Sequence, residues 1–291
     1  MQDITLGDKT AIVTGGGRGM GRTMAAALAA AGGRVVLASP EEDKLAEAEA
    51  EINAASGERR AASVVADVTR LDDCRRTVDR ALEAFGAVHV LINNAGLAPQ
   101  VDPATGNNKF RFWESDPDYW RRLIDTNVNG PYHMAFAAAP HLIAQGWGRI
   151  VNVTTSLRTI LRKENSPYGV SKGALEAATQ IWAQDLAGTG VTVNSVIPGG
   201  AVDTDFASPM TRARVKLLPP EVIVPPVLWL ASDLSDGHTG GRYSGIDWDA
   251  TLDAEAAAEK CREPCIFRDL PPDPRESALK RGDAGVTARA T

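Results

Sequence analysis

The chain has 291 residues, 44% of them hydrophobic and 23% charged, with a formal net charge of -6. That composition excludes a wholly disordered chain, and the acidic balance, with no basic run interleaved with aromatics, argues against a nucleic-acid partner. No apolar run approaches the roughly 18 to 20 residues of a membrane span and Met1 to Lys9 lacks a charged-then-apolar leader, so no membrane partner and a cytoplasmic location are expected.

From Thr10 to about Asp247, short β-branched runs alternate with segments of helical spacing, which predicts an α/β fold: a doubly wound parallel sheet with helices on both faces. Seven strands are expected, at Thr10–Thr14, Arg34–Ala38, Ala62–Ala66, Val88–Asn93, Arg149–Thr154, Val191–Ile197 and Tyr243–Asp247. Helices are expected between them, as at Met20–Ala31, stopped by Gly32 and Gly33, and at Leu71–Phe85. The first strand ends in Thr14-Gly15-Gly16-Gly17-Arg18-Gly19-Met20-Gly21 and runs straight into an Ala-rich helix. Backbone without Cβ approaches a pyrophosphate closely, and a helix N-terminus offers it free N–H groups, so this turn is expected to bind a dinucleotide.

Two long connections, Leu97–Lys109 and Val202–Pro220, interrupt the rhythm at the edge where such sheets bind ligands, and a helix is expected near Glu221. The lining is expected from Leu97–Trp113, Leu157–Pro167 and Val202–Leu218, with Phe110, Phe112 and Trp113 as an aromatic wall or as core. A single catalytic domain is expected over residues 1–248, with a C-terminal extension over 249–291 that is helical at first and mobile at its end. Cys74, Cys261 and Cys265 read as free thiols, and His89, His133, His141 and His238 show no ligand spacing, so no metal is expected.

The Gly15, Gly19 and Gly21 spacing is similar to that of the short-chain dehydrogenase/reductase family. Further matches extend the resemblance from about Leu6 to Asp247: Asn93-Asn94-Ala95-Gly96, Asn127, Tyr168-Gly169-Val170-Ser171-Lys172 and Pro198-Gly199. It implies a Rossmann-type enzyme moving a hydride between NAD(P) and a ketone or secondary alcohol, assembled as a homodimer or homotetramer through the helices after Asn127 and Pro167. The cofactor contacts it implies are Gly15, Gly17, Arg18, Gly19, Met20, Gly21, Ser39, Asp67, Val68, Asn94, Ala95, Gly96, Tyr168, Lys172, Pro198, Gly199, Val202 and Thr204.

Tyr168 and Lys172 are four apart on a helical pattern, so both lie on one face. A tyrosine titrates near 10, and lowering it by about three units takes roughly 4 kcal/mol of preferential stabilisation of the phenolate. An ammonium and an oxidised nicotinamide ring in a dry cleft supply energy of that order, making Tyr168 a proton donor to a carbonyl and an acceptor from an alcohol. The resemblance adds Asn127 as part of a proton relay and a serine after the fifth strand. That family position falls on Thr155, beside Ser156, and either hydroxyl can serve. This departure motivates a rival reading, a non-catalytic dinucleotide sensor or scaffold of the same fold.

A carboxylate ending the second strand would hold the ribose hydroxyls of NAD and repel the phosphate of NADP, and neither Ala38 nor Ser39 supplies one. Arg18 resembles the basic residue of NADP-preferring relatives. NADP(H) is the expected cofactor, with NAD(H) as the alternative.

Overall fold

The structure is a computed structural model that describes residues 4–106 and 108–265. Seven parallel strands form one sheet in the order β3-β2-β1-β4-β5-β6-β7: β1 Thr10–Thr14, β2 Arg34–Ser39, β3 Ala61–Val65, β4 Val90–Asn93, β5 Gly148–Val153, β6 Val191–Ile197 and β7 Arg242–Ser244. This is the expected Rossmann-type doubly wound sheet. Its strand order reverses between β1 and β4, which opens a crevice at their C-terminal ends.

The strands are apolar on both faces because both are covered. In β1, Ile12 and Val13 point to opposite sides, and two buried clusters result. One gathers Val13, Leu37 and Ile92 under helices α1 (Gly19–Ala30) and α2 (Glu42–Ser56), with Trp229 and Leu230 from α9 (Val224–Ala231). The other gathers Ile12, Val36, Leu91 and Val193 under α3 (Leu71–Phe85), α5 (Gly130–Ala144) and α7 (Tyr168–Asp185). Shorter helices α4 (Pro117–Ile124), α6 (Leu157–Ile160), α8 (Pro209–Arg214) and α10 (Ala254–Cys261) complete the described α-helices.

Differences from the sequence reading have local causes. The seventh strand stops at Ser244 and a 3-10 turn covers Gly245–Asp247, where the backbone packs so closely that a Cβ on Gly245 would stand 2.3 Å from the Val222 carbonyl oxygen. The connection Val202–Pro220 contains α8, started by the Ser208 side chain accepting from Thr211 N and by Pro209 in the first turn. The helix expected near Glu221 opens as a 3-10 turn, Pro220–Ile223, and continues as α9. The expected mobile end of the extension falls largely on residues 266–291, outside the described residues; its first part carries α10, whose Ala254, Ala258 and Cys261 join the cluster of Val13 and Trp229. All three cysteines are free and buried. Among the described residues, no helix is long and apolar enough to cross a membrane.

Candidate active site

After β1 the chain turns at once into α1. Gly15 and Gly19 adopt φ of +64° and +53°, a left-handed region where side chains are strained. A Cβ on Gly21 would lie 2.0 Å from Gly15 O and 2.6 Å from Asn94 Nδ2, so close packing excludes any side chain there. The N-terminus of α1 has no side-chain cap, leaving its first N–H groups to a ligand. Asn94 Nδ2 donates to Thr14 O at 2.9 Å, and Thr14 Oγ1 accepts from Asn94 N and Ala95 N at 3.0 Å each, binding the turns after β1 and β4 together. A glycine cradle that a Cβ would fill, opening on a bare helix end, fits a dinucleotide.

A cleft of about 1070 Å³ runs along this edge. It is lined by Gly15, Arg18, Gly19, Met20, Gly21, Ser39, Asp67, Val68, Asn94, Ala95 and Gly96, and by Thr155, Ser156, Tyr168, Lys172, Pro198, Gly199, Val202 and Thr204. Gly17 does not line it; a Cβ there would stand 3.2 Å from Lys44 Cβ, so this residue faces α2. Asn127 is fully buried beneath the cleft floor.

Tyr168 begins α7, and the buried stripe of that helix carries Tyr168, Lys172 and Glu176 at successive steps of four. Thr155 and Tyr168 both line the cleft, and the Thr155 side chain favours the Tyr168 phenolate. Ser156 instead caps α6: its Oγ accepts from Thr159 N at 3.2 Å and pairs with Thr159 Oγ1 at 2.9 Å. Burial pushes the Tyr168 phenol up to about 12, against the pull of Thr155 and the Arg162 guanidinium. The phenol therefore stands above its ordinary value, opposite to the depression expected for a base.

Lys172 Nζ donates to Val153 O at 2.8 Å. Burial brings its ammonium down to about 8, while the Glu176 carboxylate opposes the fall. Asn127 sits in a π turn, Asp125–Asn129, between α4 and α5. Its Oδ1 accepts from Leu97 N at 2.7 Å, and its Nδ2 donates to Leu97 O at 3.1 Å and to Ser171 Oγ at 3.2 Å. A Cβ on Gly96 would lie 3.2 Å from Asn127 Oδ1 and 3.8 Å from Lys172 Nζ, so the two residues converge under the same glycine.

Beneath these groups lies a network the sequence reading missed, although Glu176 continues the Tyr168, Lys172 spacing. Glu176 accepts from Thr154 Oγ1 and from Ser195 Oγ, the latter at 3.3 Å. The fully buried Arg242 places Nη1 3.5 Å from Glu176 Oε1 and Nε 3.2 Å from Glu263 Oε2, ion pairs without hydrogen-bond alignment. Its Nη2 donates to Thr155 O at 2.7 Å, which fixes the backbone of the residue that meets Tyr168.

At the other end, Arg18 Nε lies 2.9 Å from Glu41 Oε2 and Nη1 3.5 Å from Asp205 Oδ2. Glu41 lines the cleft, so a carboxylate does follow β2, two residues beyond Ser39. The aromatic wall also differs from expectation. Phe112 and Trp113 are exposed and stack edge-on with each other, whereas Phe206 meets Tyr168 with ring centres 5.9 Å apart.

Residues 9–214 match the family model of the short chain dehydrogenases. A short-chain type dehydrogenase/reductase of Picea abies is 32% identical over 78% of this chain and 87% of its own. A cyclohexanol dehydrogenase of an Acinetobacter species is 32% identical over 81% and 92%. The crystal structure of a putative short-chain alcohol dehydrogenase from Sinorhizobium meliloti superposes with a TM-score of 0.73 at 27% identity, covering 83% of this chain and 96% of that one.

Proposed function

Since this chain belongs to the short-chain dehydrogenase/reductase family and is an NAD(P)-dependent oxidoreductase, we propose that it interconverts a ketone and a secondary alcohol with NADP(H) held at Arg18, or with NAD(H) held at Glu41, using Tyr168 as the acid–base group. The observation that carries this reading is the Tyr168 hydroxyl, buried at the cleft beside Thr155 and one helical turn from Lys172. The nicotinamide cofactor supplies or accepts the hydride. The glycine turn and the N-terminus of α1 would hold its pyrophosphate, and Val202 and Thr204 its nicotinamide half.

Tyr168, protonated at neutral pH, donates its proton to the carbonyl oxygen during reduction. Thr155 orients that hydroxyl and hydrogen-bonds the reacting oxygen, a role Ser156 cannot share while it caps α6. Lys172 remains positive below about 8 and favours the phenolate that proton donation leaves. Asn127 holds the Leu97 backbone and the start of α7 in register. The relative named cyclohexanol dehydrogenase supports the alcohol and ketone class. Exposed Tyr132 and Phe136 on α5 and Val170 and Ile181 on α7 support a homodimer or homotetramer built on those helices.

The Tyr168→Phe variant is expected to retain cofactor binding and lose nearly all turnover. Retained turnover would remove Tyr168 from the chemistry, and binding of cofactor without turnover of any carbonyl or alcohol by the unmodified protein would favour the sensor reading.

A further inference from the structure

Carboxylates are confined to one part of the cleft, where Arg18 and Arg122 stand among them. The carboxylates, Glu41, Asp67 and Asp125, come from the segments after β2 and β3 and from the π turn. Beyond Tyr168 the wall is built from residues 97–109, 156–167 and 198–216, and every charged residue these segments place on the cleft is basic: Lys109, Arg162, Arg214 and Lys216. This happens in a chain of net charge -6, where random placement would favour acids.

The cations gather from three separate segments. Asn108 is buried and its Nδ2 donates to Ser208 Oγ at 3.0 Å, pinning the residue before Lys109 to the start of α8, which Arg214 ends. Lys109 is half-buried. Burial lowers its ammonium, the charges of Arg162 and Arg214 lower it further, and Glu164 opposes them. Arg162 also acts on the Tyr168 phenol, which places the cluster within electrostatic reach of the reacting group. Converging like charges repel, and a bound anion reverses the sign of that interaction.

We infer that the substrate of the oxidoreductase proposed above is an anionic ketone or its alcohol, whose carboxylate or phosphate is held by Lys109, Arg162 and Arg214 while its apolar part lies against Phe206. The inference rests on Tyr168 chemistry for the reaction and on the basic wall for the substrate class, and the two fail separately.

The test pairs oxo acids of increasing chain length with their methyl esters, using the full chain with its reduced cofactor. Turnover is read as kcat/KM at about 0.1 M and at about 1 M salt, between which the screening length falls from about 10 to about 3 Å. Binding of each acid to the protein loaded with oxidised cofactor is read separately by calorimetry.

For the matching length, the acid is expected to exceed its ester by about tenfold or more at the lower salt, with the preference shrinking at the higher. Arg162→Gln and Arg214→Gln are each expected to cut the acid-to-ester ratio by about fivefold. Esters turned over as well as acids throughout, with Tyr168→Phe silencing both, overturn the anion site and leave the catalysis standing. Salt-sensitive binding of acids without turnover keeps the anion site and defeats the catalytic reading. An unchanged ratio in Arg214→Gln together with weaker cofactor binding assigns that cation to the cofactor and overturns the inference. A keto phosphate preferred over the acids supports the same site with phosphate as the anion.

Discussion

Replacing Glu41 with Gln tests the charge balance around Arg18 as the determinant of the choice between the two nicotinamide dinucleotides. Arg18 lies between Glu41 and Asp205, at 2.9 and 3.5 Å, with side chains 48%, 45% and 81% exposed. A ribose phosphate brought to Arg18 carries roughly two negative charges and meets Glu41 as a like charge. Two unit charges 4 Å apart interact by about 1 kcal/mol in water, and exposed pairs contribute about 0.2 to 1 kcal/mol once screened. Glu41→Gln removes that repulsion and leaves Arg18 in place. NADPH is therefore expected to bind about fivefold more tightly, whereas NADH exchanges a charged acceptor for its free ribose hydroxyl for a neutral one and gains nothing. Calorimetric titration of both proteins with both cofactors reads the preference as a ratio of Kd values, and the gain must shrink as salt rises. A ratio that stays constant or falls would refute the role given to Glu41 and Arg18.

The remaining predictions concern the reacting end and its support. Thr155→Val is expected to lower kcat by about a hundredfold or more, in the range seen when one donor to a reacting oxygen is lost, while Ser156→Ala costs about 1 kcal/mol of local stability through the lost cap of α6; steady-state rates and denaturation separate the two. Activity that needs the Lys172 ammonium is expected to fall as pH rises through about 8, and Glu176→Gln moves that limb to lower pH because the Glu176 carboxylate opposes the fall of the lysine. The stability sign is opposite: Lys172 titrates lower in the folded state than in the unfolded chain, so its burial costs most below about 8 and the cost is relieved as pH climbs toward the unfolded value, measurable by denaturation across that window. Arg242→Met alone is expected to destabilise by about 3 to 5 kcal/mol by stranding Glu176, with much of that recovered in Arg242→Met/Glu176→Leu; equal loss in single and double variants would contradict the pairing.

How far the site could be read in advance depended on whether its parts are neighbours in sequence. β1 and β6 run over the expected residues because short β-branched runs bounded by turn signals specify them, and the glycine turn, Tyr168 and Lys172 are local patterns. Glu41 is not legible as part of the site because it lies past Ala38 and Ser39 at the end of β2, and the turn through Pro40 brings its side chain back to Arg18. Arg242 sits 66 positions after Glu176 with no spacing to link them, and only the pairing of β6 with β7 brings it under Thr155. Lys109, Arg162 and Arg214 converge through the folding of three connections that carry no shared periodicity. Phe112 and Trp113 were misplaced for the converse reason: hydrophobicity next to an expected loop says that a ring wants a partner, and here each found the other.

The Arg242 side chain touches the last described segment and the reacting centre at once, through Glu263 and the Thr155 carbonyl. Shortening the chain to its sheet and flanking helices by cutting after Asp247, a natural choice for crystallisation or for grafting the domain, would remove α10 and Glu263 and leave a buried guanidinium short of one carboxylate against the backbone of Thr155. A cut placed after Cys265 keeps that carboxylate, so for protein engineers the working boundary of this enzyme lies beyond its last strand and its last described helix.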